Sequence, residues 1–173
     1  MKDSLNQDAA PKKAVVLGIG NVLLSDEGVG VHAIKALARR YDLPGEVEIV
    51  DGGTAGMELL PQLEGIGELI VVDAVRAGQP PAAIVRLEGD RLPAYFRTKL
   101  SPHQMGLSDV LAALAFRASA PGRVVLIGVQ PVTLMPGLEL STEVSARLEL
   151  LVESIAAELA AGGHIVSVRT EDE

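Results

Sequence analysis

Gly18-Ile-Gly-Asn-Val-Leu-Leu-Ser-Asp-Glu-Gly-Val-Gly30 follows a short apolar run, Ala14 to Leu17, and precedes an amphipathic stretch, Val31 to Tyr41. Strand, glycine-rich turn, then helix is the economical reading of that order. Open α/β sheets bind ligands just past the carboxyl ends of their strands, where such turns lie. Two acids, Asp26 and Glu27, stand at the end of this turn. Adjacent side chains point in different directions, so one of the two enters a cleft. Spacing does not say which, and either acid would also favour a helix N-terminus through the dipole.

The turn lacks the marks of a nucleotide site. A dinucleotide fingerprint needs a third glycine where Leu23 stands, and no Gly-Lys-Ser/Thr follows to make a P-loop. A phosphate would also be repelled by the two acids. Protease signatures built on G-x-S-x-G or H-E-x-x-H are missing as well. Asp51-Gly-Gly-Thr54 is not the Asp-Thr-Gly of aspartic proteases.

On either side of this turn the chain alternates strands with helices. In the first helix Ile34, Leu37, Ala38 and Tyr41 fall at helical spacing, and His32, Lys35 and Arg39 read as the solvated face. Val47 to Val50 is a second strand, running into the glycine-rich Asp51 to Gly56. A short helix is expected over Met57 to Leu63. Leu69 to Val72 is a buried strand with Asp73 directly at its end, and Ile84 to Leu87 is a more polar edge strand. Arg91 to Leu100 carries no clear pattern. Ser101-Pro102-His103-Gln104 then shows a capping-box signature, with proline at the first helical position. Leu107, Val110, Leu111 and Leu114 form the apolar stripe of the helix it opens. Val124 to Ile127 is another buried strand. Val144, Leu148, Leu151, Val152, Ile155 and Leu159 line one face of a last helix, which Gly162 can end, and Ile165 to Val168 can add an edge strand.

This pattern predicts an α/β fold: a three-layer sandwich, its twisted and mostly parallel sheet covered by helices on both faces. Residues 14–168 form one domain in this reading, with a flexible leader over 1–13 and an acidic tail over 169–173. At 173 residues and 48% hydrophobic content the chain can bury a real core, built from aliphatic side chains because aromatics are only 2%. A net charge of −8 argues against nucleic acid or an anionic membrane as partner. No apolar run approaches a membrane span, and no signal-peptide core is seen. The absence of cysteine excludes disulfides, thiolate metal sites and cysteine nucleophiles, and fits a reducing compartment. A cytoplasmic monomer is expected.

Chemistry is left to a few acids and one histidine. Asp51 and Asp73 both end apolar strands at the sheet edge that carries the first turn. Asp51 has an ordinary role open to it, capping the turn that follows. Asp73 ends the more central strand, where a carboxylate needs a counter-charge or a metal. His32 and His164 read as surface residues. His103 lies in a first helical turn, where the positive helix end favours neutral imidazole, the form that binds metal. One imidazole with two carboxylates suits a borderline divalent metal such as nickel or zinc.

The run Gly18 to Gly30 resembles the N-terminal signature of the nickel–iron hydrogenase maturation endopeptidases. Asp51-Gly-Gly-Thr-Ala-Gly-Met-Glu-Leu59, the strand ending in Asp73-Ala74, and Ser101-Pro-His-Gln-Met-Gly-Leu107 are similar to its next landmarks, in the same order. The likeness runs from about Ala14 to Leu159, and is strongest to members serving uptake hydrogenases. It implies an aspartyl-type peptide hydrolase that removes a C-terminal peptide from the hydrogenase large-subunit precursor once nickel is inserted. It places the family's metal-contacting residues on Glu27, Asp73 and His103, so it selects Glu27 over Asp26, and it leaves the role of Asp51 open. Nickel would arrive on the substrate, and other divalent metals can occupy such a site. A non-cleaving nickel-sensing chaperone for the same precursor is the alternative reading. A nucleotide-binding Rossmann-like protein ranks third.

Overall fold

The computed structural model describes residues 13–89, 91–92 and 102–170, with residues 102–105 described for their backbone alone. Its strands are β1 (Ala14–Ile19), β2 (Tyr41–Asp42), β3 (Val47–Gly53), β4 (Glu68–Ala74), β5 (Ile84–Glu88), β6 (Arg123–Val129) and β7 (Ser167–Val168). The α-helices are α1 (Val29–Arg40), α2 (Leu60–Leu63), α3 (Pro102–Phe116), α4 (Thr142–Ser145) and α5 (Leu148–Ala161). Single 3-10 turns over Ser25–Gly28 and Met57–Leu59 lead into α1 and α2.

The main sheet has the order β3-β1-β4-β6-β5. All pairings are parallel except β5 with β6, which is antiparallel. Every residue of β1 and of β4 is buried, as continuous apolar strands covered on both faces must be. Their side chains alternate between two cores. Ala14, Val16, Ile70 and Val72 face one core, packed with Ile34 and Leu37 of α1 and Leu151, Ile155 and Leu159 of α5. Val15, Leu17, Leu69 and Val71 face the other, packed with Leu63 of α2 and Leu107, Val110 and Leu114 of α3. Helices therefore cover both faces, which is the expected three-layer α/β sandwich. Burying each of these valine, leucine and isoleucine side chains contributes about 1.5–3 kcal/mol before the entropy of ordering is counted.

Several boundaries differ from the sequence reading. The last helix is two helices, broken at Ala146–Arg147. Ser141 caps the first of them, its side chain accepting from Val144 N–H. Gly162 closes α5 in a helical conformation, and the left-handed residue is Gly163, with φ +92°. Ala38 is exposed, outside the stripe proposed for it. Only Ser167–Val168 of the last apolar stretch is a strand, and it pairs antiparallel with Tyr41–Asp42 in a separate ribbon, beside an ion pair of Arg169 with Asp42. The edge assignment of Ile84 to Leu87 holds, because β5 ends the sheet.

His164 is a correction. It is 5% exposed, with Nε2 3.3 Å from Glu68 Oε2 and Nδ1 3.5 Å from Glu46 Oε1. Glu68 opens β4 and also binds Arg123, which opens β6 and binds Glu158 and Glu88. Arg86 Nε adds a bond to Glu158 at 2.7 Å. These partners satisfy Glu68 and Glu158, two carboxylates that are almost fully buried. The cluster lies at the amino ends of the parallel strands, opposite the end to which the first glycine turn leads.

His32 is also corrected. Its ring is partly buried, and Nε2 has no hydrogen-bond partner among the described residues. Burial, helped by Lys35 and Arg39, lowers its pKa below the ordinary 6.5.

Candidate active site

The carboxyl end of β1 is shaped by glycines that let backbone meet backbone. Gly20 has φ +129°, and a Cβ there would lie 1.8 Å from the carbonyl oxygen of Glu27. A Cβ on Gly30 would lie 2.1 Å from the carbonyl oxygen of Val72. The turn Ser25–Gly28 thus folds back over the end of β1, and its exit is pressed against β4 one residue before Asp73. The motif's glycines are explained by close approach, with no phosphate required.

The structure separates the two adjacent acids. Asp26 is completely buried. Its Oδ2 accepts hydrogen bonds from Val132 N–H at 2.9 Å, Thr133 N–H at 3.0 Å and Ser141 Oγ at 2.9 Å. Its Oδ1 accepts from Ser141 N–H at 2.7 Å. A carboxylate that accepts four hydrogen bonds inside the fold is occupied. Asp26 therefore ties the turn to the segment after β6. Glu27, its neighbour, is only partly buried.

Asp73 is 1% exposed, and its Oδ1 accepts from Ala74 N–H at 2.8 Å. It is paired in register with Gly128 of β6. A Cβ on Gly128 would meet the carbonyl oxygen of Asp73 at 2.0 Å, so this glycine too is set by backbone contact. The turn bearing Glu27 packs against β4, so Glu27 and Asp73 share one end of the sheet. His103 is the second residue of α3, as the capping signature predicts, with Pro102 at the first helical position. The His103 side chain and the Ser101 cap lie outside the described residues, as does most of Arg91 to Leu100. Among the described residues no group of three histidine, aspartate or glutamate side chains is placed to hold a metal. The His103 ring is not among them.

Asp51 takes the ordinary role. β3 continues through it to Gly53, and its exposed carboxylate accepts from Gly53 N–H at 3.1 Å and faces Lys35 at 3.7 Å. Ser25 is almost buried, its hydroxyl donating to Met135 C=O at 2.9 Å. Sequence reasoning missed the anchoring role of Asp26. Its partners follow it by more than 100 residues, and nothing local announces them.

Comparison with known proteins agrees with this architecture. The HycI family model, hydrogenase maturation protease, matches residues 31–158. The hydrogenase 2 maturation protease of Escherichia coli K12 is 44% identical over 152 residues, covering 87% of this chain and 93% of that protein. The hydrogenase expression/formation protein HupD of Rhodobacter capsulatus is 41% identical, covering 88% of this chain and 74% of its own. Among solved structures, the hydrogenase maturating endopeptidase HybD from E. coli aligns with TM-score 0.87 and 43% identity, over 91% of this chain and 98% of that one. The [NiFe] hydrogenase maturation protease HybD from Thermococcus kodakarensis aligns with TM-score 0.69 and 27% identity, over 86% and 99%. These likenesses extend over most of each chain and include the fold, which sets aside the non-cleaving and nucleotide-binding readings: the chain belongs to the hydrogenase maturation protease family and is a protease.

Proposed function

We propose that this protease removes the C-terminal peptide of a nickel–iron hydrogenase large-subunit precursor after nickel insertion. In this reading Glu27, Asp73 and His103 contact the nickel carried by that precursor. The observation that carries it is the packing of the Glu27 turn on the end of β4, which gathers Glu27 and the buried Asp73 at one rim. The acid that could have competed, Asp26, is consumed by four internal hydrogen bonds. The [NiFe] hydrogenase named for the relative from Thermococcus kodakarensis supports a nickel-bearing substrate.

The donor set fits the role. Two carboxylate oxygens and an imidazole nitrogen suit a borderline divalent ion. Three such ligands complete nickel's coordination only when the precursor is loaded, so cleavage becomes conditional on assembly and the enzyme need not hold metal tightly by itself. The bound ion can also polarise a carbonyl or lower the pKa of a water. Residues 14–168 act as one domain in this proposal, as a monomer in the cytoplasm. The cysteine-free sequence supports the compartment, and no helix of the described residues is long and apolar enough to cross a membrane.

The test is to incubate the purified protein with nickel-loaded and nickel-free precursor and to weigh the products. Loss of the C-terminal peptide from the loaded form alone is expected. Equal processing of both forms would remove the sensing role.

A further inference from the structure

Next to the Glu27 turn, several large apolar side chains face solvent. Leu23 is 59% exposed, and Met135 and Leu138 are each 69% exposed; Val22 and Val132 are exposed to a lesser degree. They come from two segments far apart in sequence that are laced together. Gly137 N–H donates to Leu23 C=O at 2.9 Å, and Ser25 N–H donates to Gly137 C=O at 2.8 Å. Asp26 N–H donates to Thr133 C=O at 3.3 Å, and the Asp26 carboxylate holds the same segment from below. This ledge is fixed, so its apolar side chains are presented by a rigid support. A contiguous exposed apolar patch on a well-anchored backbone marks an interaction site.

Charge narrows the occupant. In the two segments that build the ledge, Gly18 to Gly30 and Gly128 to Ser141, there is no lysine or arginine, while Glu27 and the exposed Glu139 are present. A partner that fits beside this rim has an apolar face and brings a cation with it. A protease must seat a polypeptide against its reactive rim, and the ledge is continuous in backbone with Glu27.

We infer that the ledge formed by Leu23, Met135 and Leu138 is the docking surface for an apolar segment of the nickel-loaded precursor, and that Asp26 fixes its distance from Glu27. This rests on the reading of the Glu27 rim given above. The ledge holds the substrate while the acids read the metal, so ledge substitutions act on affinity and leave turnover of bound substrate alone.

Met135→Gln/Leu138→Gln, and Leu23→Gln on the other segment, remove apolar surface without adding charge. For each, KM for the loaded precursor is expected to rise about 10-fold, with kcat within about twofold of the parent, a pattern of lost uniform binding. The same substitutions are then placed on Glu27→Gln, and affinity for the loaded precursor is measured by calorimetry. A loss of about 10-fold is expected there too. Unchanged KM and unchanged affinity in both ledge variants overturn the proposal. So does a change from dimer to monomer on sedimentation with unchanged precursor affinity, which would make the ledge a contact between copies of this chain. Wild-type cleavage by Glu27→Gln would instead overturn the rim assignment, and the affinity measurement would still judge the ledge.

Discussion

Asp26 and Ser141 are joined twice across 115 positions of sequence: the Ser141 N–H donates to Oδ1 at 2.7 Å and its hydroxyl donates to Oδ2 at 2.9 Å. Ser141 is also the cap of α4, so one residue links the start of that helix to the turn that carries Glu27. Asp26→Asn puts an amide N–H₂ among backbone and hydroxyl donors that need an acceptor. A loss of about 2–3 kcal/mol is expected, since a buried carboxylate with several donors is replaced by a group that can satisfy only some of them. Urea unfolding measures it. Processing should fall even at temperatures where the variant stays folded. Full stability and full activity together would show that the tie does not govern Glu27.

Asp73→Asn is nearly isosteric and keeps an oxygen acceptor for Ala74 N–H. Together with His103→Gln it tests the proposed rim directly. Neither variant is expected to show detectable processing of the loaded precursor by mass analysis, with far-ultraviolet circular dichroism matching the parent. Parent-like processing by either would mean that the acid or the imidazole is misassigned.

Gly20→Ala tests the backbone that positions Glu27. The new methyl group must displace the Glu27 carbonyl and adopt a left-handed backbone. The expected cost is about 3 kcal/mol from strain and overpacking, with processing lost as well. Gly45→Ala serves as control, because a Cβ there meets nothing within 4 Å. Equal melting temperatures for the two variants would contradict the packing argument.

The ionic cluster gives a pH prediction. Hydrogen bonds from Arg86, and then from Arg123, hold the Glu158 carboxyl below its ordinary value of 4.5. On acidification the unfolded chain takes up this proton first. The stabilisation is therefore complete above about 4.5 and fades as pH falls from there through the depressed value. Glu158→Gln should flatten that slope in urea unfolding measured between neutral and acidic pH. At neutral pH it should cost about 1–3 kcal/mol, at the lower end because both guanidinium groups reach solvent. An unchanged slope would place the acid sensitivity elsewhere.

The central strands were legible in the sequence because β1, β4 and β6 are covered on both faces and carry uninterrupted apolar runs between their ends. The position of Asp73 followed from β4. What stayed hidden was decided by distant partners. Asp26 and Glu27 are neighbours with the same charge, and the donors that divide their roles sit on Val132, Thr133 and Ser141. His164 follows two glycines and reads as part of a loose end. Glu46 and Glu68, which surround it, are more than 90 residues earlier in the chain. The break between α4 and α5 left no trace, because Val144 to Leu159 keeps a helical period across it.

The cluster of Glu68, Arg123, Glu158, Arg86 and Glu88 fastens the starts of β4 and β6, the finish of β5 and the last turn of α5. All of these clamps are at the sheet end remote from Asp73. Anchorage and the proposed rim thus share strands without sharing side chains. The margin that bears Glu27 and Asp73 can be altered while its foundation is left as it stands.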